Sequence, residues 1–229
     1  MFCRAIILLL AACLATISGA RPTEGVVYCQ PDERADTVHT SGDPTSGPGV
    51  WITHNDAAEG NYFLYENLRD AKPWKHITIP QGARRFVQLC PTWQGRLVRG
   101  TAKVNLDGKD HKLGTWVESS MSNGALHGDV SFLRGCDGAA KIITTDGSKL
   151  SRGCEGDLLN GAPPAALVAK DSGVKVLADL EGSGEANNAA RQWLKSKCSE
   201  SQVYLGHGVD PVINSVNGQL EVVFSAGRF

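Results

Sequence analysis

The sequence has no excess of charge of either sign, with 23 lysines and arginines against 24 aspartates and glutamates in 229 residues. That balance excludes the broad positive field on which counterion-release binding to nucleic acid depends. There is no GxSxG elbow, no P-loop, no dinucleotide-binding glycine fingerprint and no HExxH, so the common hydrolase, nucleotide-binding and zinc-protease chemistries have no foothold. The six histidines are scattered, with no pair four residues apart to put two imidazoles on one helical turn. Neither a metal site nor a cofactor is expected. No Asn-x-Ser/Thr sequon, internal repeat, heptad run or long low-complexity tract occurs. Beyond the first twenty residues no apolar run is long enough to span a bilayer, and Ser225 to Phe229 lack the hydrophobic tail of a lipid anchor.

What is present describes a folded chain of mainly β structure. Hydrophobic residues make up 41% and charged residues 21% of the sequence, well away from compositions that stay unfolded. The 26 glycines and 10 prolines lie mostly between short β-branched or aromatic runs, which argues for strands and turns rather than a helical bundle. Residues 1–20 read as a secretory signal: Arg4 opens a short positive region, Ala5 to Ile17 is almost wholly apolar, and Ser18-Gly19-Ala20 is a small-residue cleavage site. The expected product is one domain over 21–229, exported to the cell wall or beyond, with 21–49 as a partly ordered N-terminal segment and no partner copy required.

Export changes how cysteine is read, because an oxidising compartment favours disulfides. Without Cys3 and Cys13 of the signal, Cys29, Cys90, Cys136, Cys154 and Cys198 remain. An odd number leaves one thiol free, and sequence alone does not select the pairing. Cys136 with Cys154 is the expected bridge, since both follow a glycine and flank a hairpin; the partners among Cys29, Cys90 and Cys198 stay open. The odd thiol is read as structural, because no cysteine has a CxxC or histidine partner nearby in sequence.

Along the chain, Gln30 to Pro48 is polar and rich in turn residues and reads as a long loop. Short strand-like runs follow: Val50 to Thr53, Tyr62 to Glu66, His76 to Ile79, Arg84 to Leu89, Arg96 to Val98, Lys103 to Leu106, Thr115 to Ser119 and Asp129 to Leu133. Such spacing predicts a sandwich or barrel. Asp107-Gly108, Asn123-Gly124, Asp146-Gly147 and Asn217-Gly218 suit tight hairpin turns. Pro163-Pro164 leads into a short helix over Ala165 to Val168, and Glu185 to Lys197 has helical periodicity with its acid near the start and its lysines near the end. Gln202 to Leu205 and Leu220 to Phe224 return to strand. The prediction is one β domain with a small helical excursion.

Chemistry concentrates mid-chain. Period-two alternation puts Trp116 and Glu118 on one face of their strand, and sets Asp129 opposite the face of Val130 and Phe132. If Ser120 to Gly128 closes a hairpin symmetrically, Glu118 falls directly across from Asp129, with Cβ atoms roughly 4.5 to 5.5 Å apart and like charges repelling. Either an arginine, Arg99 or Arg96, sits between them, or one carboxylate holds its proton. The bland alternative is two solvated carboxylates on an outward face.

Asn61-Tyr62-Phe63-Leu64-Tyr65-Glu66-Asn67, Ile77 to Gly82, Cys90-Pro91-Thr92-Trp93-Gln94-Gly95-Arg96-Leu97-Val98-Arg99-Gly100-Thr101, and Gly114 to Glu118 through Gly128 to Leu133 together resemble the thaumatin-like proteins. Within them they are similar to the fungal secreted branch called antigenic thaumatin-like. The likeness continues through Gly135-Cys136-Asp137-Gly138, Gly161-Ala162-Pro163 and Asp210-Pro211-Val212-Ile213. The resemblance implies a β-sandwich core with disulfide-stabilised loops and an acidic cleft that, in plant relatives, is associated with β-1,3-glucan. Glu118 and Asp129 match the family's glutamate and first aspartate. Arg99 is the counterpart of its arginine, with Arg96 as the alternative if the register slips. Where the next aspartate belongs this chain has Arg134, and Asp137 is the substitute offered for the last.

Three functional readings follow. The first is a non-catalytic wall or surface protein whose cleft, with exposed aromatics among Trp74, Trp93 and Trp116, holds cell-wall β-1,3-glucan or a surface partner; for at least two of these tryptophans core packing is the competing reading. The second is a weak endo-β-1,3-glucanase with Glu118 as acid and Asp129 as nucleophile or stabiliser, a scheme that Arg134 opposes by favouring ionised carboxylates. The third is an adhesin or effector acting on host surface proteins.

Overall fold

The computed structural model describes residues 27–229; the segment read as a secretory signal lies outside the described residues. Fourteen strands and two helices follow in order: β1 Val38–Thr40, β2 Gly49–His54, β3 Gly60–Glu66, β4 Lys75–Ile79, β5 Arg84–Gln88, β6 Gln94–Gly100, α1 Ala102–Asn105, β7 Trp116–Ser122, β8 Ala125–Ser131, β9 Ala139–Thr144, β10 Ser151–Cys154, β11 Leu167–Ala169, β12 Lys175–Leu177, α2 Glu185–Lys197, β13 Ile213–Ser215 and β14 Gln219–Ser225. A seven-stranded sheet runs β1-β4-β3-β6-β7-β8-β13 and a five-stranded sheet runs β10-β9-β14-β2-β5, with β11 and β12 as a separate ribbon. The molecule is mainly β, as the turn-punctuated sequence predicts.

The two sheets enclose one core. On β14 the alternation Leu220, Val222, Phe224 faces inward and Gln219, Glu221, Val223 outward, the pattern of a half-buried strand. Facing it, Tyr62, Leu64, Leu97, Val117, Leu126 and Val130 are all at most 3% exposed. β3 is buried on both faces: Phe63 and Tyr65 point away from the core and pack with Val98 and the half-buried Trp116 in a second, smaller cluster. That outer cluster is closed by α1, where Asn105 Nδ2 donates to the Tyr65 hydroxyl at 3.1 Å. Lys103 to Leu106, read as a strand, is thus a helical turn, held because Asn105 Oδ1 folds back to accept from the Thr101 amide at 3.0 Å.

Several other expectations change. Ala165 to Val168 is a 3-10 turn, Pro164–Ala166, that runs straight into β11, since β-branched Val168 pairs with Val176. Within the polar stretch read as loop, β1 pairs in parallel with β4, and the buried Glu66 carboxylate accepts from the Cys29 and Gln30 amides. Of Gln202 to Leu205 only Tyr204 joins a sheet, through a single bridge to Ser131. α2 spans Glu185–Lys197 as its periodicity predicts, burying Ala190 and Leu194.

The expected Cys136–Cys154 bridge is replaced by Cys29–Cys90 and Cys154–Cys198, with Cα separations of 5.6 and 5.8 Å. The register of β9 with β10 explains why: Cys154 lies opposite Ala140, four positions short of the level of Cys136, and its sulfur reaches the end of α2 instead. Cys136 is free and fully buried.

Candidate functional site

Asn123 and Gly124, with φ of 51° and 78°, form a two-residue turn of the mirror-image kind that matches strand twist. The turn fixes the β7–β8 register, and Glu118 lies directly opposite Asp129. On β6, Arg96 is the next residue in the same row, paired with Glu118. All three side chains stand on the outer face of the seven-stranded sheet, because their neighbours Leu97, Val117 and Val130 face the core. They line a groove of about 250 Å³ together with Trp116, Ser119, Ser120 and His127.

The electrostatics follow from burial. Asp129 is 8% exposed; desolvation, and then the charges of Glu118 and Asp210, push its carboxyl up to about 8. Its Oδ1 is buried without a hydrogen-bond partner. Burial also raises Glu118, against the pull of a Ser131 hydrogen bond and of Arg96 and Arg134. Two carboxyls facing each other in a partly dry site do not both ionise readily, so near neutral pH the pair holds a proton. Asp210 stands close by on the loop before β13, accepting from the Tyr204 hydroxyl at 2.8 Å.

Arg96 is held in place from three sides. Its guanidinium lies over the Trp116 ring at 4.2 Å and the Tyr65 ring at 4.6 Å, and Nη1 donates to Asp70 Oδ1 at 2.6 Å. Asp70 also takes Lys112 at 2.6 Å, so these partners hold its carboxyl below the ordinary range despite partial burial. The Trp116 indole donates to the Lys112 carbonyl at 2.9 Å, fixing the ring. Arg134 stands at the rim, 5.8 Å from Trp116, and its guanidinium is engaged by Glu181 at 2.6 Å.

Glu118, Asp129 and Trp116 thus share one groove with Arg134 at its edge. Arg99 and Asp137 do not belong to it. Alternation on β6 turns Arg99 inward, beneath the sheet, where it is 1% exposed and pairs with Asp137 at 3.2 Å and with the Ala139 and Ser225 carbonyls. Asp137 also takes Lys170 at 2.7 Å. This is a buried structural ion pair, and Arg96 takes the place expected for Arg99. Gln94, His127 and Asp210 did not stand out in the sequence; the signal that finds the first two is the strand register, each lying two residues from a member of the acidic row. Of the tryptophans, Trp93 is buried in the core with its Nε1 on Ser119, and Trp74 packs against it at 5.5 Å.

Among the described residues no group of three or more His, Cys, Asp and Glu side chains is placed to hold a metal ion, and no helix is long and apolar enough to cross a membrane. No protein-family model matches the chain, and no curated protein matches it. Among solved structures it is similar to the protein elicitor MoHrip2 from Magnaporthe oryzae, at 11% identity and TM-score 0.41, covering 78% of this chain and 98% of that one. It is also similar to the thaumatin-like xylanase inhibitor TLXI, at 12% identity and TM-score 0.40, covering 78% and 99%. A third is a laminaripentaose-producing β-1,3-glucanase in complex with laminaritetraose, at 16% identity and TM-score 0.36, covering 57% and 52%.

Proposed function

We propose that the groove on the outer face of the seven-stranded sheet binds a neutral, hydroxyl-rich polysaccharide of the cell wall, of the β-1,3-glucan class, in a protein exported to act at that wall. The observation that carries this reading is the in-register pair of Glu118 and Asp129 with Asp129 recessed, where burial and its acidic neighbours push its carboxyl up to about 8. A carboxylate beside a carboxylic acid offers acceptors and a donor without presenting two negative charges, which suits sugar hydroxyls better than a cation. The half-buried Trp116, held from beneath by the buried Arg96 guanidinium, adds an apolar wall against which a sugar ring can rest. The linkage of the glucan is drawn from the family resemblance of the sequence.

Hydrolysis is the second reading, favoured by the raised Asp129 carboxyl, since a general acid must hold its proton near neutral pH. The roles then reverse from those read in the sequence: Asp129 donates the proton and Glu118 serves as nucleophile or base. Arg134 opposes this less than the sequence implied, because Glu181 engages it. Incubation with insoluble and soluble β-1,3-glucan, scoring pelleting and release of reducing ends together, separates the two. Pelleting without release, weakened in Glu118→Gln, is the expected result; release that disappears in Glu118→Gln makes the protein a glucanase, and neither signal overturns the saccharide reading.

A further inference from the structure

Two residues along the strands from the acidic row lies a second row on the same face. Gln94 on β6 pairs with Ser120 on β7, Ser120 with His127 on β8, and His127 with Asn214 on the edge strand β13. Gln94 and Asn214 are exposed and Ser120 and His127 half-exposed. Neighbouring polar side chains are committed to the fold: Ser119 accepts from the Trp93 indole and Ser131 from the Leu133 amide. Among the described residues no such bond ties down the side chains of Gln94, Ser120, His127 or Asn214. An amide, a hydroxyl, an imidazole and a second amide thus stand in line with donors and acceptors free for a ligand.

We infer that the saccharide runs across the strands, in the trough between the two rows, and that the Gln94–Ser120–His127–Asn214 row is an extended subsite that carries it from β6 past the acidic pair to the β13 edge. Rows two residues apart on one face are separated by roughly 6.6 Å, and neighbouring strands by about 4.8 Å, the latter comparable to one pyranose ring. Successive rings therefore meet successive strands from β6 to β13, each finding one polar side chain of the row on one side, while the acidic pair grips the rings over β7 and β8. A groove aligned with the strands has no such repeat, because side chains along one strand alternate faces. The inference rests on the saccharide reading above and adds to it the direction of the chain and the residues that sense its length.

The test is calorimetric titration of the full exported chain with β-1,3-linked glucose oligosaccharides from dimer to hexamer. The expected result is affinity that rises with length, and a His127→Ala/Asn214→Ala variant that binds hexamer about tenfold more weakly, at a few-fold per lost hydrogen bond, while binding dimer as the parent does. Separate His127→Gln and Asn214→Ser variants, which keep polar groups, recover part of the loss and show that the effect is not one of folding. Hexamer binding abolished by Glu118→Gln but unchanged in the His127/Asn214 variant overturns the subsite and leaves the acidic site standing. No binding of any oligosaccharide by the parent overturns both.

Discussion

Asp129→Asn changes one proton and almost no volume, and its consequence is worked from the site directly. Burial, with Glu118 and Asp210 nearby, puts the folded-state value at about 8, against 3.8 for an unperturbed aspartate. Between those values the folded protein keeps a proton that the unfolded chain has released. Stability therefore falls as pH rises through that window, by up to about 1.4 kcal/mol per pH unit from this group. Asparagine has no such proton, so the stability of Asp129→Asn relative to the parent climbs with the same slope and levels off above about pH 8. From pH 5 to pH 7 the relative gain is roughly 2 to 3 kcal/mol, or about 5 to 10 °C in Tm for a chain of this size. Other shifted groups, such as Asp43, Asp70 and His111, titrate in both proteins and cancel in the difference. Urea unfolding at several pH values, followed by tryptophan fluorescence, reads it. A difference curve that is flat from pH 5 to pH 8 refutes the protonated pair.

Three further outcomes are expected. Asp137→Ala removes the nearer carboxylate of the buried Arg99, which keeps only Asp56 at 3.7 Å, and takes the partner of Lys170 as well; it costs about 3 to 5 kcal/mol, read by denaturant midpoint, whereas an effect below about 1 kcal/mol contradicts a structural role for the pair. Replacing Cys154 and Cys198 together by serine opens a loop spanning 44 positions and removes roughly 4 kcal/mol on the chain-entropy model, while Cys136 stays unreactive to a colorimetric disulfide reagent in the folded protein, because it is fully buried and burial pushes it up to about 12. His111 bridges Asp171 at 2.6 Å and Asp107 at 2.8 Å; these carboxylates outweigh its partial burial and raise it above 6.5. Its tie between the 107–112 loop and the β11–β12 turn is complete below that pH and loosens as pH rises through the folded-state value, and amide exchange in the turn that is independent of pH and of His111→Ala removes the idea.

The parts of this fold that sequence exposes are those set by local rules. Strand alternation assigns faces, and symmetric closure of a hairpin over Ser120 to Gly128 sets Glu118 opposite Asp129; the pairing holds, although that segment is strand up to a two-residue turn at Asn123-Gly124 rather than a loop. α2 is legible because its acid, lysines and apolar stripe all agree. Arg96 rather than Arg99 joins the row because the two lie three apart on one strand and so face opposite ways, and choosing between them requires the face of Leu97, which tertiary packing decides. Cys136–Cys154 failed for a related reason: a glycine before each cysteine says nothing about which residue lies across the hairpin, and β9 opposes Ala140 to Cys154. The Gln94–Ser120–His127–Asn214 row depends on β13, a three-residue edge strand far along the chain, and no local pattern announces it.

The most direct test of the central claim is a map of amide shift changes as a soluble β-1,3-glucan oligosaccharide is added to the labelled protein. The expected changes are confined to 94–96, 116–120, 127–131 and the 213–215 edge strand, and are lost in Glu118→Gln. Changes centred on another face of the protein, with these segments silent, contradict it.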